Sequence, residues 1–111
     1  DQNDAVIKEL LLNQRPDGVF AAVEQYALGV YKACRQLNLS IPGDVKVICF
    51  SNMKTASYLN PSLTTITQPA FDIGKEAAAM LFKALDKKSF QLKNENIVIK
   101  STLIARESTG A

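Results

Sequence analysis

Polar side chains able to hold a ligand stand at two places in this sequence, each directly behind an apolar run. Glu24 follows Val19-Phe20-Ala21-Ala22, and Ser51 and Asn52 follow Val45 to Phe50. If both runs are parallel strands, Val23 with Glu24 and Ser51 with Asn52 emerge at carboxyl ends, where open α/β sheets place their ligands. A carboxylate, a hydroxyl and an amide in that setting accept hydrogen bonds from ligand hydroxyls. The plainer alternative is that Glu24 caps the helix that follows and Ser51-Asn52 only turn the chain. Asp44 and Asp72 also fall near element ends. Asp72, in the first turn of an expected helix, has a sufficient role against the helix dipole.

Covalent chemistry is poorly served. There is no His, so neither a Ser/His/Asp nor a Cys/His constellation is available. The glycines are scattered (18, 29, 43, 74 and 110), and neither GxGxxG nor GxxxxGK[ST] occurs, so the usual phosphate cradles are missing. Cys34 shares helical spacing with Ala27, Val30 and Tyr31, while Cys49 lies inside Val47-Ile48-Cys49-Phe50. Both read as small buried hydrophobes rather than redox or metal groups. A zinc site needs more ligands than the chain supplies. The expectation is a protein that is not an enzyme, holds no metal or cofactor, and keeps its thiols reduced in the cytoplasm.

The elements that must position these groups are readable from periodicity. Val6, Ile7, Leu10 and Leu11 make an apolar stripe on a helix over 4–13, with Asn3 or Asp4 able to cap it. Arg15-Pro16-Asp17-Gly18 breaks the chain before a buried strand at 19–22. A helix over 24–37 follows, with Ala27, Leu28, Val30, Tyr31, Cys34 and Leu37 at its apolar positions. Asn38 is suited to a left-handed stop, with Leu39 folding back onto the last turn. A turn at 41–44 leads to a strand at 45–50, a loop at 51–62 and a short strand at 63–66. Pro69 opens a helix over 69–87, apolar at Ile73, Ala77, Met80, Leu81, Ala84 and Leu85. Two strand candidates, 97–99 and 103–105, close the chain. Alternating helices and uniformly apolar strands indicate the α/β class with a parallel sheet.

The totals narrow the class further. Of 111 residues, 47% are hydrophobic and 22% charged, and the net charge is +2. That charge is too mild to mark nucleic acid or an anionic membrane as a direct partner. No apolar run approaches the ~18 residues of a membrane span, and the first residues lack signal-peptide architecture. They open in a helix without Met, as a fragment would.

Three stretches resemble one family. "RPDGVFAAVEQYALGVYKACRQLNLSIPGDVKVICF" (15–50), "NPSLTTITQPAFDIGKEAAAMLF" (60–82) and "ARESTG" (105–110) are similar to the lac repressor/galactose repressor family of bacterial transcription regulators. The resemblance implies a periplasmic-binding-protein-like effector domain: two α/β subdomains, each a parallel sheet sandwiched by helices, with a ligand cleft between them. This chain would be its C-terminal part. Residues 1–66 and 97–111 would lie in the C-terminal subdomain, and 67–96 would cross to the N-terminal one. The DNA-binding headpiece would be absent. "TTITQPAF" resembles a hinge crossing in which Pro69 helps to set the exit direction and Gln68 faces the cleft mouth.

The implied function is effector sensing in a DNA-binding transcription regulator of repressor type. A small molecule, a sugar or sugar derivative, would bind near Val23, Glu24, Ser51, Asn52 and Gln68 and alter operator affinity. A transport-type periplasmic solute-binding protein is the alternative sharing that fold. The family often has Asn-Asp where Val23-Glu24 stand, and Gly-[Phe/Tyr]-Asp where Cys49-Phe50-Ser51 stand, so the ligand class does not carry over from it. Leu28, Tyr58 and Leu59 match the family's subunit contact and imply a homodimer. Operator DNA would be reached only through the absent headpiece, and no membrane partner is implied.

Overall fold

The computed structural model describes residues 2–86 and 96–111. Lys87, the expected last residue of the third helix, and residues 88–95 lie outside the described residues. Three α-helices, α1 (Gln2–Gln14), α2 (Glu24–Gln36) and α3 (Ala70–Asp86), alternate with strands β1 (Gly18–Ala21), β2 (Lys46–Phe50), β3 (Thr64–Thr67) and β4 (Thr102–Ile104). Short 3₁₀ helices occupy Lys54–Tyr58, inside the expected loop, and Glu107–Thr109.

The sheet order is β1-β2-β3-β4. Val19 pairs with Val47, Ala21 with Cys49 and Cys49 with Thr65, all in parallel. The fourth strand departs from the expected parallel sheet: β4 runs antiparallel to β3, with Thr67 opposite Thr102 and Thr65 opposite Ile104. Its direction follows from the route of the chain. The segment leaves from the end of β3 and re-enters beside that end, so it must run back along β3. The strand expected at 97–99 does not form, and the ladder begins at Thr102 instead.

Helix α2 covers the sheet because its small and branched residues recur on one side. Ala27, Val30, Ala33 and Cys34 are buried and share a core with Ala21, Val45, Val47, Cys49 and Leu63. Leu28, on the other side, is 44% exposed. The helix ends as the sequence indicates. Asn38 takes φ 57, its N–H donates to the Arg35 carbonyl, and the Leu39 N–H reaches the Cys34 carbonyl at 2.8 Å. Those two bonds form a Schellman stop, with Leu39 packed on the core.

Helix α1 packs on α2 at Gly29, where a Cβ would stand 2.8 Å from Cδ1 of Ile7. The Asp4–Lys32 ion pair, 2.7 Å long, ties the same two helices at the surface. Only Leu11 of α1 is buried, with Ile7 partly so; Val6 and Leu10 of the expected stripe remain half exposed. Strand β1 is likewise less enclosed than its apolar run suggests. Phe20 is 59% exposed, on the face of β1 opposite the buried Ala21.

Residues 1–67 with 102–111 form one compact unit, and 68–101 form another. In the second unit α3 buries no residue fully, and Phe71, Ile73, Leu81, Phe82 and Leu85 are all exposed.

Candidate functional site

Parallel pairing of Ala21 with Cys49 brings the carboxyl ends of β1 and β2 side by side. The chain leaves β1 through Ala22 and Val23 into α2. Val23 holds the N-cap position in extended conformation (φ −138, ψ 156) and makes no side-chain cap bond, having no polar atom to make one. Glu24 is therefore the first residue of α2 rather than its N-cap. Its carboxylate stands in the first helical turn, where the peptide dipoles favour negative charge.

That carboxylate is held from the next strand. The Ser51 hydroxyl donates to Oε1 of Glu24 at 2.5 Å, the length expected of an O–H bond to a charged oxygen. Ser51 is 3% exposed, and its N–H continues the ladder by donating to the Ile66 carbonyl at 3.0 Å. Its Oγ also accepts the Met53 N–H at 2.8 Å, which turns the chain into the 3₁₀ helix at 54–58. Ser51 thus both turns the chain and holds the acid that opens α2. Beneath it, the thiol of Cys49 is pushed above its ordinary value by burial and, less strongly, by the Glu24 charge.

The other expected residues fall as follows. Val23 is 48% exposed beside Glu24, and Asn52 is exposed directly after Ser51. Gln68 follows Thr67, the last residue of β3, and begins the second compact unit. It is exposed, and its carbonyl accepts the Ala70 N–H at 2.8 Å as α3 starts. Tyr58 is 85% exposed, whereas Leu59 packs partly against the core.

A hollow of about 550 Å³ in the first unit is elsewhere. It runs along α1 and β1 between Ile7, Leu10, Val19, Phe20 and Tyr26. With so few polar groups it offers little to orient a ligand, and it is the uncovered flank of β1. Among the described residues no group of His, Cys, Asp or Glu is arranged to hold a metal ion. No described helix is long and apolar enough to cross a membrane.

Sequence reading did not anticipate a polar clasp over the start of β3. The Ser108 hydroxyl, fully buried, accepts the Thr64 N–H at 2.8 Å and donates to the Val47 carbonyl at 2.6 Å. Arg106 Nη1 donates to the Leu63 carbonyl at 2.6 Å and to Thr65 Oγ1 at 3.0 Å. Thr64 Oγ1 accepts the Arg106 N–H at 2.7 Å and meets Thr109 Oγ1 at 2.6 Å. The Arg-x-Ser ending of the sequence therefore locks β2 and β3 to the chain terminus. Its signal was present in the buried hydroxyls of Thr64-Thr65, which need partners.

The chain matches the periplasmic binding protein-like domain family over residues 1–109. It is 33% identical over 99 residues to the lactose operon repressor of Rhizobium radiobacter, covering 89% of this chain and 85% of that protein. The chain belongs to the lac repressor/galactose repressor family. A second family member, the HTH-type transcriptional regulator RegA of Clostridium saccharobutylicum, is 41% identical over 98 residues. That alignment covers 88% of this chain and 29% of RegA, so the chain spans less than a third of that relative's length. Among solved structures of the family, a LacI-family transcriptional regulator of Enterococcus faecium with bound ribose superposes with a TM-score of 0.78. It is 30% identical, and the match covers 97% of this chain and 40% of that one. The fold is thus that of periplasmic binding proteins, with a mixed α/β sheet.

Proposed function

We propose that this chain is an effector-sensing portion of a DNA-binding transcription regulator of repressor type. Its effector is a small molecule of the sugar class. The ligand sits beyond the strand ends, near Val23, Glu24, Ser51, Asn52 and Gln68, in a cleft of the kind the family resemblance implies. It favours one arrangement of the protein over another and so changes operator affinity; such coupling requires that it bind the two arrangements unequally. The observation that carries the reading is the acid–hydroxyl pair Glu24–Ser51 at adjoining strand ends, in a chain whose relatives are named as repressors and regulators. The ribose bound by the Enterococcus regulator supports a sugar. Those relatives' names favour a regulator over the alternative, a transport-type solute-binding protein.

Residues 1–66 and 97–111 are proposed as C-terminal subdomain and 67–96 as the segment crossing to the other. Leu28, Tyr58 and Leu59 are proposed as subunit contact in a homodimer. Calorimetric screening of the full-length protein against sugars tests the reading, repeated with Ser51→Ala and Gln68→Ala. Loss of one hydrogen bond in a desolvated site weakens binding by about 1–3 kcal/mol. Unchanged affinity in both variants rejects the site.

A further inference from the structure

The chain passes between its two compact units at two peptide links, Thr67 to Gln68 going out and Ser101 to Thr102 coming back. Both links leave from one pair of the antiparallel ladder, Thr67 opposite Thr102. An exposed ladder end of this kind ordinarily frays. Here a side chain fastens it. The Thr67 hydroxyl donates to the Thr102 carbonyl at 3.2 Å and accepts the Thr102 N–H at 3.3 Å. One hydroxyl thus grips both the donor and the acceptor of the residue across from it.

Immediately beyond that pair the outgoing strand cannot extend the ladder. Pro69 has no N–H to give, and its φ is fixed. The Ala70 N–H turns back to the Gln68 carbonyl at 2.8 Å, and the Ile73 N–H to the Pro69 carbonyl at 2.9 Å. Only Gln68 and Pro69 therefore separate the fastened pair from Ala70, the first residue of α3. On the returning side, residues 97–101 form no strand, and the ladder resumes at Thr102.

We infer that Thr67 is a positioning residue that pins a two-strand pivot. Its hydroxyl confines bending to Gln68-Pro69 on one strand and to Ser101 on the other. Hinges absorb their rotation in a few residues at element ends, and the pin decides which residues those are. Without the hydroxyl the last pair opens, the pivot creeps back into β3 and β4, and the second unit swings through a wider range. That blurs the distinction between arrangements on which effector coupling depends. The inference goes beyond the effector-sensing reading and is independent of the effector's chemistry, because the hydroxyl acts on backbone alone.

The test compares the full-length protein, free of ligand, as parent, Thr67→Val and Thr67→Ser. Valine keeps the branched shape and removes the hydroxyl; serine keeps the hydroxyl. Hydrogen exchange read by mass spectrometry reports on the pair. Nitroxides on Gln36→Cys and Lys75→Cys, exposed positions in different units, report the spread of distances between the units. The native thiols of Cys34 and Cys49 are buried and escape the label. Thr67→Val should exchange about five-fold faster over 100–105, the order expected for losing one or two exposed hydrogen bonds. Exchange over 45–50 should not change, and the distance distribution should broaden. Thr67→Ser should restore the parent's behaviour in both measurements. A valine variant that matches the parent in either measurement overturns the inference, as does a serine variant that behaves like valine. Faster exchange over 45–50 as well also overturns it, since Thr67 would then serve only the general stability of its unit. With no ligand present, none of these outcomes bears on the sugar reading.

Discussion

Ser108 satisfies two backbone groups where no water reaches, accepting from the Thr64 N–H and donating to the Val47 carbonyl. Ser108→Ala leaves both unpaired, and each buried orphan costs about 1–3 kcal/mol. The variant should therefore lose roughly 2–6 kcal/mol, read as a lower urea midpoint at unchanged slope. Two exposed acids at the surface act differently. Asp44 accepts the N–H and hydroxyl of Ser40, and Glu107 those of Ser62. The backbone bonds, then the hydroxyls, hold both carboxyls below their ordinary values of 3.8 and 4.5. The folded chain thus favours their charged forms more than the unfolded chain does. Their contribution is complete above those ordinary values and is lost as pH falls through the lowered ones. A variant with Asp44→Asn and Glu107→Gln should show a shallower fall in unfolding midpoint between neutral and acid pH; an unchanged slope would reject this. Glu24 and Ser51 were visible in the sequence as residues behind apolar runs. The bond between them was not, because it depends on which strands are neighbours.

At the scale of elements, legibility followed locality. Helix α2 and its stop were readable because every determinant lies within one segment: small residues at helical spacing, then Asn38 able to take a positive φ. Asn38→Ala forces a Cβ-bearing residue without a local polar partner into that conformation, at about 1 kcal/mol, while Asn38→Gly should match or exceed the parent in thermal unfolding. Equal melting of all three would show that the left-handed turn is not required. The direction of β4 was illegible because nothing within Leu103-Ile104 encodes it; the return point of the chain beside Thr67 does. The solvent exposure of Phe20 was illegible for a related reason. An apolar run records that a strand suits burial, and the sheet decides how much of it is covered.

At the scale of the molecule, the proposed homodimer is best probed at Tyr58. Leu59 packs on the core, so a charge there risks unfolding the chain. Tyr58, at 85% exposure, holds little of the fold. Tyr58→Asp should lower the association state of the full-length protein in sedimentation without moving its helical signal, and intact dimers would reject the assignment. Residues 1–111 alone, at a net charge of +2, should give no salt-resistant, sequence-selective shift with DNA. The crossing between units carries a separate consequence. Thr67 and Thr102 face each other as the last rung of an antiparallel pair, so their ends are spaced as the two arms of a hairpin. The whole of 68–101 is, in topological terms, an insertion into that hairpin's tip. Replacing it with an Asn-Gly turn, whose twist matches antiparallel strands, would close the ladder locally. The shortened chain keeps the core and the Arg106–Ser108 clasp, and so reduces a two-unit protein to a miniature built on its sheet.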